Sequence, residues 1–280
     1  MIRLGGYGIP IAADADADPK DIAAAHLAMG YNAAYCPAVA LEDSSRISAI
    51  RNAFAAADIE IAEVAAWRNI SPPEPDARKA ARDYVKERLA LADEVGARCA
   101  ITYIGSMAPG SDYEPHPDNL SQKGFDTFVD AAREIIDAVK PKRAKFCLEM
   151  MQWELPDSPE ILVDLIKAID RPAFAAHLDP VNLIVSPRQY YDTASLIRRC
   201  FELLGPWIIS CHAKDITMGS TLSLHFDEVI PGRGALSYPT YLKELDGRGI
   251  PIMLEHLADS DYPEARDHLK SVGRSLGITI

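Results

Sequence analysis

The sequence lacks an excess of basic residues. Its 280 residues include 29 lysines and arginines against 41 aspartates and glutamates, which gives a formal net charge of -12. A protein of this charge repels a phosphate backbone and has no basic stripe that would release counterions from it. Nucleic acid is therefore not expected as a partner.

Long apolar segments and paired cysteines are also missing. No stretch reaches the roughly 18 uninterrupted apolar residues of a membrane-spanning helix, and the amino-terminal segment has no apolar core of signal-peptide length. We therefore expect a cytoplasmic protein with no membrane partner. The five cysteines are odd in number and scattered, without a CxxC pair, which predicts reduced thiols in the core.

The sequence does contain an alternation of short apolar runs with longer amphipathic segments, which is typical of repeated βα units around a parallel sheet. Helix start signals such as Asp18-Pro19 and Ser158-Pro159 lie between the apolar runs. Eight runs are short enough to be single strands. These predicted strands span residues 2–9, 31–36, 59–67, 98–104, 145–150, 173–179, 207–213 and 250–256.

Eight strand-helix units without a low-complexity linker predict a (β/α)8 TIM barrel, in which residues 1–280 form a single domain. The alternative is an open, doubly wound sheet that binds a dinucleotide. That fold requires a GxGxxG turn, and Gly5, Gly6 and Gly8 do not have this spacing, which disfavours the alternative. Long loops are predicted at 68–76, 105–121 and 216–235, after strand ends where barrel active sites are built.

The last four predicted strands each end in a polar side chain that should point into the mouth of the barrel: Glu149, Asp179, His212 and Glu255. Three carboxylates and an imidazole at one centre would be costly to bury unless a cation lay between them. The sequence therefore predicts one divalent metal held by these four residues. Mostly oxygen ligands favour Mn2+ or Mg2+, with Co2+ or Zn2+ able to substitute.

The order Glu, Asp, His, Glu, together with the phrases HLDPVN, CHAKD and IPGRG before IMLEH, resembles the xylose-isomerase-like superfamily of barrels. The sequence is most similar to its sugar phosphate isomerase/epimerase group. The resemblance implies a metal-dependent isomerase or epimerase that acts on a ketose, keto-sugar or sugar phosphate, with a small carbohydrate as partner. By matching positions it implies that Glu149 and Glu255 exchange protons with the carbon beside the carbonyl, while the metal stabilises the enediolate.

Two departures from the ketose epimerase pattern leave a second function open. Asn182 stands where a histidine is common, and Met218 stands where those epimerases place an arginine. A keto-sugar lyase or dehydratase, inosose-dehydratase-like or keto-glycoside-cleaving, remains the alternative on the same scaffold. The superfamily also includes DNA endonucleases, which need three metals and several further histidines. The net charge of -12 and the presence of only seven histidines disfavour that function. The complete set of four ligand-type residues argues against a non-catalytic sugar-binding or structural role. A homo-oligomer is possible, but the sequence does not identify an interface.

Candidate substrate contacts come from strand ends and from the long loops. Lys214 should share a strand face with His212, although a structural ion pair is equally compatible with its position. We expect His177 to point inward one layer deeper and His256 to point outward as a structural residue. The glycines of PGRGAL are more typical of a turn than of a phosphate cradle. The predicted substrate contacts are Trp67, His116, Asn182, Lys214, His225 and Arg233.

Overall fold

The computed structural model describes residues 1–11 and 16–280, so residues 12–15 of the amino-terminal segment considered above lie outside the described residues. Eight parallel strands form a nearly closed barrel with helices between them, which confirms the predicted (β/α)8 fold. Each barrel strand lies within one of the predicted runs. The strands are β1 (Leu4–Gly6), β2 (Ala33–Tyr35), β3 (Glu60–Ala65), β4 (Cys99–Thr102), β5 (Lys145–Leu148), β6 (Phe174–Leu178), β7 (Ile208–Ala213) and β10 (Ile252–Leu254).

The strands follow one another around the barrel in the order β1, β10, β7, β6, β5, β4, β3, β2, and every neighbouring pair is parallel. Asn32 joins the two end strands. Its backbone N–H donates to the carbonyl of Leu4 at 3.0 Å, and its side-chain oxygen accepts from the N–H of Leu4 at 2.7 Å. The side chain thus supplies one of the hydrogen bonds across the seam between β1 and β2.

Two helices begin where the signals Asp18-Pro19 and Ser158-Pro159 predicted. Asp18 immediately precedes Pro19, the first helical residue, and its side chain accepts a hydrogen bond from the N–H of Lys20. The Ser158 hydroxyl accepts from the N–H of Ile161 in the same way. These caps satisfy donors that have no partner within the helix. The helices are α1 (Pro19–Ala28), α2 (Ser44–Ala56), α3 (Pro75–Val95), α4 (Gln122–Val139), α5 (Pro159–Ile169), α6 (Pro187–Tyr190), α7 (Thr193–Leu204), α8 (Tyr238–Leu245) and α9 (Tyr262–Leu276).

The prediction that residues 216–235 form an irregular loop is wrong in part. Strands β8 (Asp215–Met218) and β9 (Phe226–Val229) pair antiparallel as a hairpin beyond β7. Backbone pairing joins the two strands, and Ile216 packs into the core while Asp227 and Glu228 are exposed. Strands of only four residues give a weak periodicity signal, which is why the sequence did not reveal them.

Alternation along the strands separates two layers of side chains. Leu148, Leu178 and Leu254 belong to the large core cluster, which also contains the buried faces of the helices. Their neighbours on the opposite strand face point into the barrel, where apolar packing is limited to small clusters around Cys99, Ile101 and Met253. This alternation directs the polar residue that follows each of these leucines toward the barrel axis.

All five cysteines are free thiols, and four of them are buried. None of the helices in the described ranges combines the length and apolar character needed to cross a bilayer.

Candidate active site

The four polar residues predicted at the strand ends converge at the carboxyl end of the barrel. Glu149 follows β5, Asp179 follows β6, His212 lies in β7 and Glu255 follows β10. One ligand atom from each lies within 4.8 Å of the others, and all four residues are buried. The carboxyl ends of parallel strands meet at one face of a barrel, and this brings the residues together.

The imidazole of His212 lies between carboxylates. Its Nδ1 atom is 3.0 Å from Oε1 of Glu149 and 2.9 Å from Oε1 of Glu255. Burial alone would lower the pKa of His212, but the charges of Glu255, Glu63 and Glu149 raise it well above its usual value. The cluster therefore favours positive charge at its centre.

The two glutamates of the cluster respond in opposite directions. Burial, followed by the charge of Glu255, raises the pKa of Glu149 to about 7. Burial would also raise the pKa of Glu255, but the charge and hydrogen bond of His212, with Lys214, hold it well below its ordinary range. The two carboxyl groups therefore share one site but differ in proton affinity.

Glu63 is a part of the site that the sequence reasoning missed. It lies in β3 with no exposed surface, and its Oε2 atom is 3.2 Å from Nε2 of His212. Its other oxygen accepts a hydrogen bond from the Ser210 hydroxyl. The available signal was an acidic residue in the middle of a strand, flanked by apolar residues on both sides, where an unpaired carboxylate would be costly.

His177 occupies the deeper inward position that its spacing from Asp179 predicted. Its ring centroid is 4.0 Å from that of His212, and its Nδ1 atom is 3.4 Å from Oε1 of Glu63. Burial, followed by the charge of His212, lowers the pKa of His177 well below its usual value. Burial against the His212 ring thus disfavours the charged form of His177.

Lys214 is the cation closest to the acidic cluster among the described ion pairs. Its Nζ atom lies 2.8 Å from Oδ2 of Asp179, 3.2 Å from Oε1 of Glu255 and 3.4 Å from Oε1 of Glu228. It also donates to Oδ1 of Asn182 at 3.0 Å. Burial would lower the pKa of Lys214, but the carboxylates, led by Asp179, raise it well above its usual value.

A cavity of about 450 Å³ opens beside the cluster. One side is aromatic and is formed by Trp67, Tyr103, Tyr113 and Trp153. Most of the remaining lining is polar and includes Glu149, Asn182, Lys214, Glu228, Glu255 and His256. Three of the predicted substrate contacts, Trp67, Asn182 and Lys214, therefore line the cavity.

The other three predicted contacts lie outside the cavity lining. His116 accepts from the N–H of Asp118 at 3.2 Å and caps a short 3-10 turn. Exposed His225 pairs with Asp227 in the hairpin, and Arg233 forms two 2.7 Å contacts with Glu264 of α9. Each of these side chains already has a local partner.

His256 does not point outward as predicted. Because β10 ends at Leu254, strand alternation no longer applies, and His256 has a backbone φ of 56°. This left-handed conformation is uncommon outside glycine, although histidine adopts it more readily than most residues. The side chain lines the cavity, where its Nδ1 atom lies 2.9 Å from Oε2 of Glu228.

The PGRG segment forms a turn around a buried carboxylate. Asp215, which follows Lys214, accepts from the N–H groups of Gly232 and Gly234 at 2.9 and 3.0 Å, and from that of Leu236 at 2.9 Å. Gly232 has a φ of 99°, which residues with a side chain rarely adopt. These amides are occupied within the chain, which favours the turn over the phosphate cradle.

The residues at the cluster fit a divalent metal ion. Ligand atoms on opposite sides of an ion held at about 2.1 Å lie about 4.2 Å apart, so atoms within 4.8 Å of one another need only small shifts to share one ion. The preference of the cluster for positive charge agrees with this. The fold and the site together define a barrel protein with a buried Glu/Asp/His cluster that could hold a metal.

A family model described as xylose isomerase-like TIM barrel matches residues 22–272. The chain belongs to the xylose isomerase-like TIM barrel family. Comparison with curated protein sequences finds no match.

Solved structures with the same fold include several enzymes. D-psicose 3-epimerase with D-tagatose from Clostridium cellulolyticum H10 has 16% identity and a TM-score of 0.67, covering 99% of each chain. The probable 3-DHS dehydratase AsbF from Bacillus anthracis, involved in petrobactin synthesis, has 16% identity and a TM-score of 0.70, covering 97% of this chain and 98% of that one.

A third solved structure is a xylose isomerase-like TIM barrel protein from Mycobacterium smegmatis in complex with magnesium. It has 18% identity and a TM-score of 0.66, covering 98% of this chain and 96% of that one. At identities this low, the three likenesses show the shared fold alone.

Proposed function

We propose that this protein is a divalent-metal-dependent isomerase or epimerase that moves protons on the carbon beside the carbonyl of a ketose, keto-sugar or sugar phosphate. The observation that carries the proposal is the convergence of Glu149, Asp179, His212 and Glu255 within 4.8 Å, next to an open cavity. Family membership and the epimerase and dehydratase among the similar structures support enzymatic activity of this kind.

In this proposal, the same four residues hold Mn2+ or Mg2+, with Co2+ or Zn2+ as substitutes. A bound ion would stabilise the negative charge that develops on the carbonyl oxygen and the neighbouring hydroxyl oxygen. The oxygen-rich ligand set with one imidazole favours these hard or borderline ions. The requirement is tested by measuring metal content after chelation and reconstitution. Unchanged stoichiometric metal in Glu149→Ala would contradict the ligand assignment.

Glu149 and Glu255 are the proposed acid and base. They come from different strands, both line the cavity, and each places one oxygen about 3 Å from the same nitrogen of His212. One carboxylate removes the proton from carbon, and the other carboxyl group delivers a proton to complete the isomerisation or epimerisation. Lys214 neutralises part of the surrounding negative charge and hydrogen-bonds Asn182, which places two polar side chains at the cavity wall.

A keto-sugar lyase is the second candidate, and one observation favours it. Glu228 and His256 form a further carboxylate-imidazole pair that lines the cavity but is separate from the four-residue cluster. Loss of an oxygen substituent two carbons from the carbonyl requires an acid at the departing oxygen in addition to the base at carbon. The Glu228–His256 pair supplies a group that an epimerase of this design does not need.

The deciding experiment uses the full chain reconstituted with Mn2+ and incubated in deuterated water. The substrates are a panel of ketoses, keto-glycosides and ketose phosphates, and products are followed by NMR and mass spectrometry. Deuterium beside the carbonyl without loss of mass supports the isomerase or epimerase. Loss of water or of an aglycone supports the lyase, and absence of exchange across the panel contradicts the proton-transfer proposal.

A further inference from the structure

The aromatic side of the cavity is a connected series of four rings, which we call the aromatic wall (Trp67, Tyr103, Tyr113 and Trp153). Trp67 and Tyr103 are near-parallel with centroids 6.1 Å apart, and Tyr113 lies 5.0 Å from Tyr103 and 6.4 Å from Trp153. The wall thus extends continuously along one side of the cavity.

One end of the aromatic wall lies beside the four-residue cluster, and the series of rings reaches an exposed side chain, Tyr113. The ring centroid of Trp67 lies 6.5 Å from that of His212. Farther along the wall, Tyr113 is 52% exposed and packs edge-to-face against Trp153. A sugar that reacts at the cluster would lie nearest Trp67, which leaves the outer rings for whatever the sugar carries.

A single sugar ring does not account for the outer part of this wall. A sugar ring presents one small apolar face, which a single aromatic side chain is enough to cover. Tyr113 and Trp153 nevertheless line the same cavity. Grouped, partly exposed aromatic side chains in a cavity are typical of a surface that is covered when a ligand binds.

The charges of the cavity disfavour a phosphate group. Its lining includes the carboxylates of Glu149, Glu228 and Glu255. Among the described lining residues, the basic side chains are Lys214 and His256, and both already contact carboxylates at 2.8–3.4 Å and 2.9 Å, respectively. With Glu149 and Glu255 assigned to the metal, a phosphate dianion in the rest of the cavity would meet Glu228, and the two cations beside it, Lys214 and His256, are already paired with carboxylates.

Three other groups that could bind a phosphate already have partners within the chain: the amides of the PGRG turn, Arg68 and Arg233. Gly232 and Gly234 donate their backbone N–H groups to Asp215. Arg68 stacks over the ring of Tyr84 at 4.3 Å and donates to the carbonyl of Trp67, and Arg233 pairs with Glu264. The chemistry around the cavity thus selects for a neutral ligand with an apolar part.

From these observations, we infer that the substrate is an uncharged keto-sugar carrying an aromatic or other planar apolar substituent, which packs on Tyr113 and Trp153. This inference rests on the proposed function for the position of the sugar. It narrows the substrate class from ketoses, keto-sugars and sugar phosphates in general to neutral, apolar-substituted sugars.

The test compares the affinity of the Mn2+-loaded full chain for matched ligands by titration calorimetry. Each sugar of a hexose and keto-hexose panel is offered as its methyl glycoside, its phenyl glycoside and its phosphate. We expect the phenyl glycoside of the preferred sugar to bind at least about tenfold more tightly than the methyl glycoside, since aromatic pairs add favourable energy beyond the buried area. The phosphate should bind most weakly.

Variants locate the effect on the wall. Tyr113→Ala and Trp153→Ala should reduce the phenyl preference severalfold and leave the affinity for the methyl glycoside nearly unchanged. Trp153→Phe is a milder variant that guards against disturbance of the loop by Trp153→Ala. Because it keeps an aromatic ring, it should retain part of the phenyl preference. Tyr191→Ala is the matched control because Tyr191 is 76% exposed and lies outside the cavity lining.

Binding of these ligands does not require proton transfer, so the two proposals fail separately. A phenyl preference without deuterium exchange on any sugar would contradict the proposed reaction and leave the ligand class standing. Exchange on sugars without a phenyl preference would overturn the ligand class and keep the reaction. Equal affinities for both glycosides, tighter binding of the phosphates or no binding of any phenyl glycoside would each overturn the inference.

Discussion

The Oε2 atom of Glu63 lies 3.2 Å from Nε2 of His212, on the other side of the imidazole from the nitrogen that faces Glu149 and Glu255. A carboxylate that accepts from one ring nitrogen fixes the tautomer and leaves the other nitrogen available to a metal. The Ser210 hydroxyl, which donates to the second oxygen of Glu63, holds that carboxylate in place.

This arrangement predicts that Glu63 strengthens metal binding without touching the metal. Glu63→Gln should weaken the Mn2+ affinity by about 10- to 100-fold, because outer hydrogen-bond partners of ligating histidines contribute effects of that size. Calorimetric titration of Mn2+ into protein from which metal has been removed with a chelator measures this affinity. Glu60→Gln is the control, since Glu60 lies on the same strand and pairs with Arg98 instead of His212. An unchanged affinity in Glu63→Gln would contradict the role.

A second prediction concerns the buried ammonium of Lys214. Removing one partner of a buried ion pair costs about 3–5 kcal/mol. Lys214→Met should therefore lower the free energy of unfolding of the metal-free protein by about this amount when the measurement is made in the presence of a chelator. Saturating Mn2+ should recover part of the loss, because the ion replaces positive charge among the same carboxylates. Urea unfolding with and without metal gives the comparison.

The exposed Lys243, on α8, offers a matched control for that measurement. Lys243→Met should have little effect in either condition. If Lys214→Met lost the same stability with and without Mn2+, the lysine and the ion would not share the acidic cluster.

The third prediction separates proton transfer from metal binding. Glu149→Gln and Glu255→Gln should each lower turnover by about 100- to 10,000-fold, which is the usual contribution of a general acid or base. Rates are measured at Mn2+ concentrations that saturate each variant, so that a weaker ligand does not mimic a lost base. Glu202→Gln changes an exposed glutamate of α7 and should keep full activity. Near-normal turnover of both site variants would refute the acid/base roles.

Glu154 provides a prediction about pH. Its side chain is buried, and this burial raises its pKa from 4.5 to about 8. Because the folded protein holds this proton more tightly than the unfolded chain, the group contributes its full stability below about pH 4.5. The contribution is lost as the pH rises toward 8.

We therefore expect the free energy of unfolding to fall between pH 5 and 8 by at most about 1.4 kcal/mol per pH unit from this group. Glu154→Gln, which stays neutral, should have a flatter profile in urea titrations at pH 6, 7 and 8. Asp157→Asn removes an exposed acid from the same loop and should follow the wild-type profile. A wild-type slope in Glu154→Gln would show that Glu154 does not hold the proton.

The strand positions and the four-residue cluster could be predicted because both follow from local patterns. Each barrel strand is a short apolar run, and each run is followed by a helix with its own start signal. Once eight such units are present, the closed barrel places every strand end at one face. The convergence of Glu149 with Glu255, separated by more than a hundred residues, therefore required no knowledge of side-chain packing.

Glu63, the hairpin and the cavity lining could not be predicted in this way. Which strand opposes His212 across the barrel depends on the stagger of the strands, and this brought Glu63 beneath the imidazole. The side chain of His256 was placed by a left-handed backbone residue after the strand had ended. His116 and His225 have partners two residues away, Asp118 and Asp227, whereas Arg233 pairs with Glu264, which lies 31 residues away on α9.

The sequence by itself determined the number and order of the strands and the four ligand-type residues at their ends, because apolar periodicity and barrel closure act on each unit in the same way. Only the tertiary structure decided which of the loop side chains face the cavity, how Glu63 supports His212 and how four aromatic rings join into one wall. These depend on contacts between segments far apart in the chain, and such contacts leave no periodic signal in the sequence.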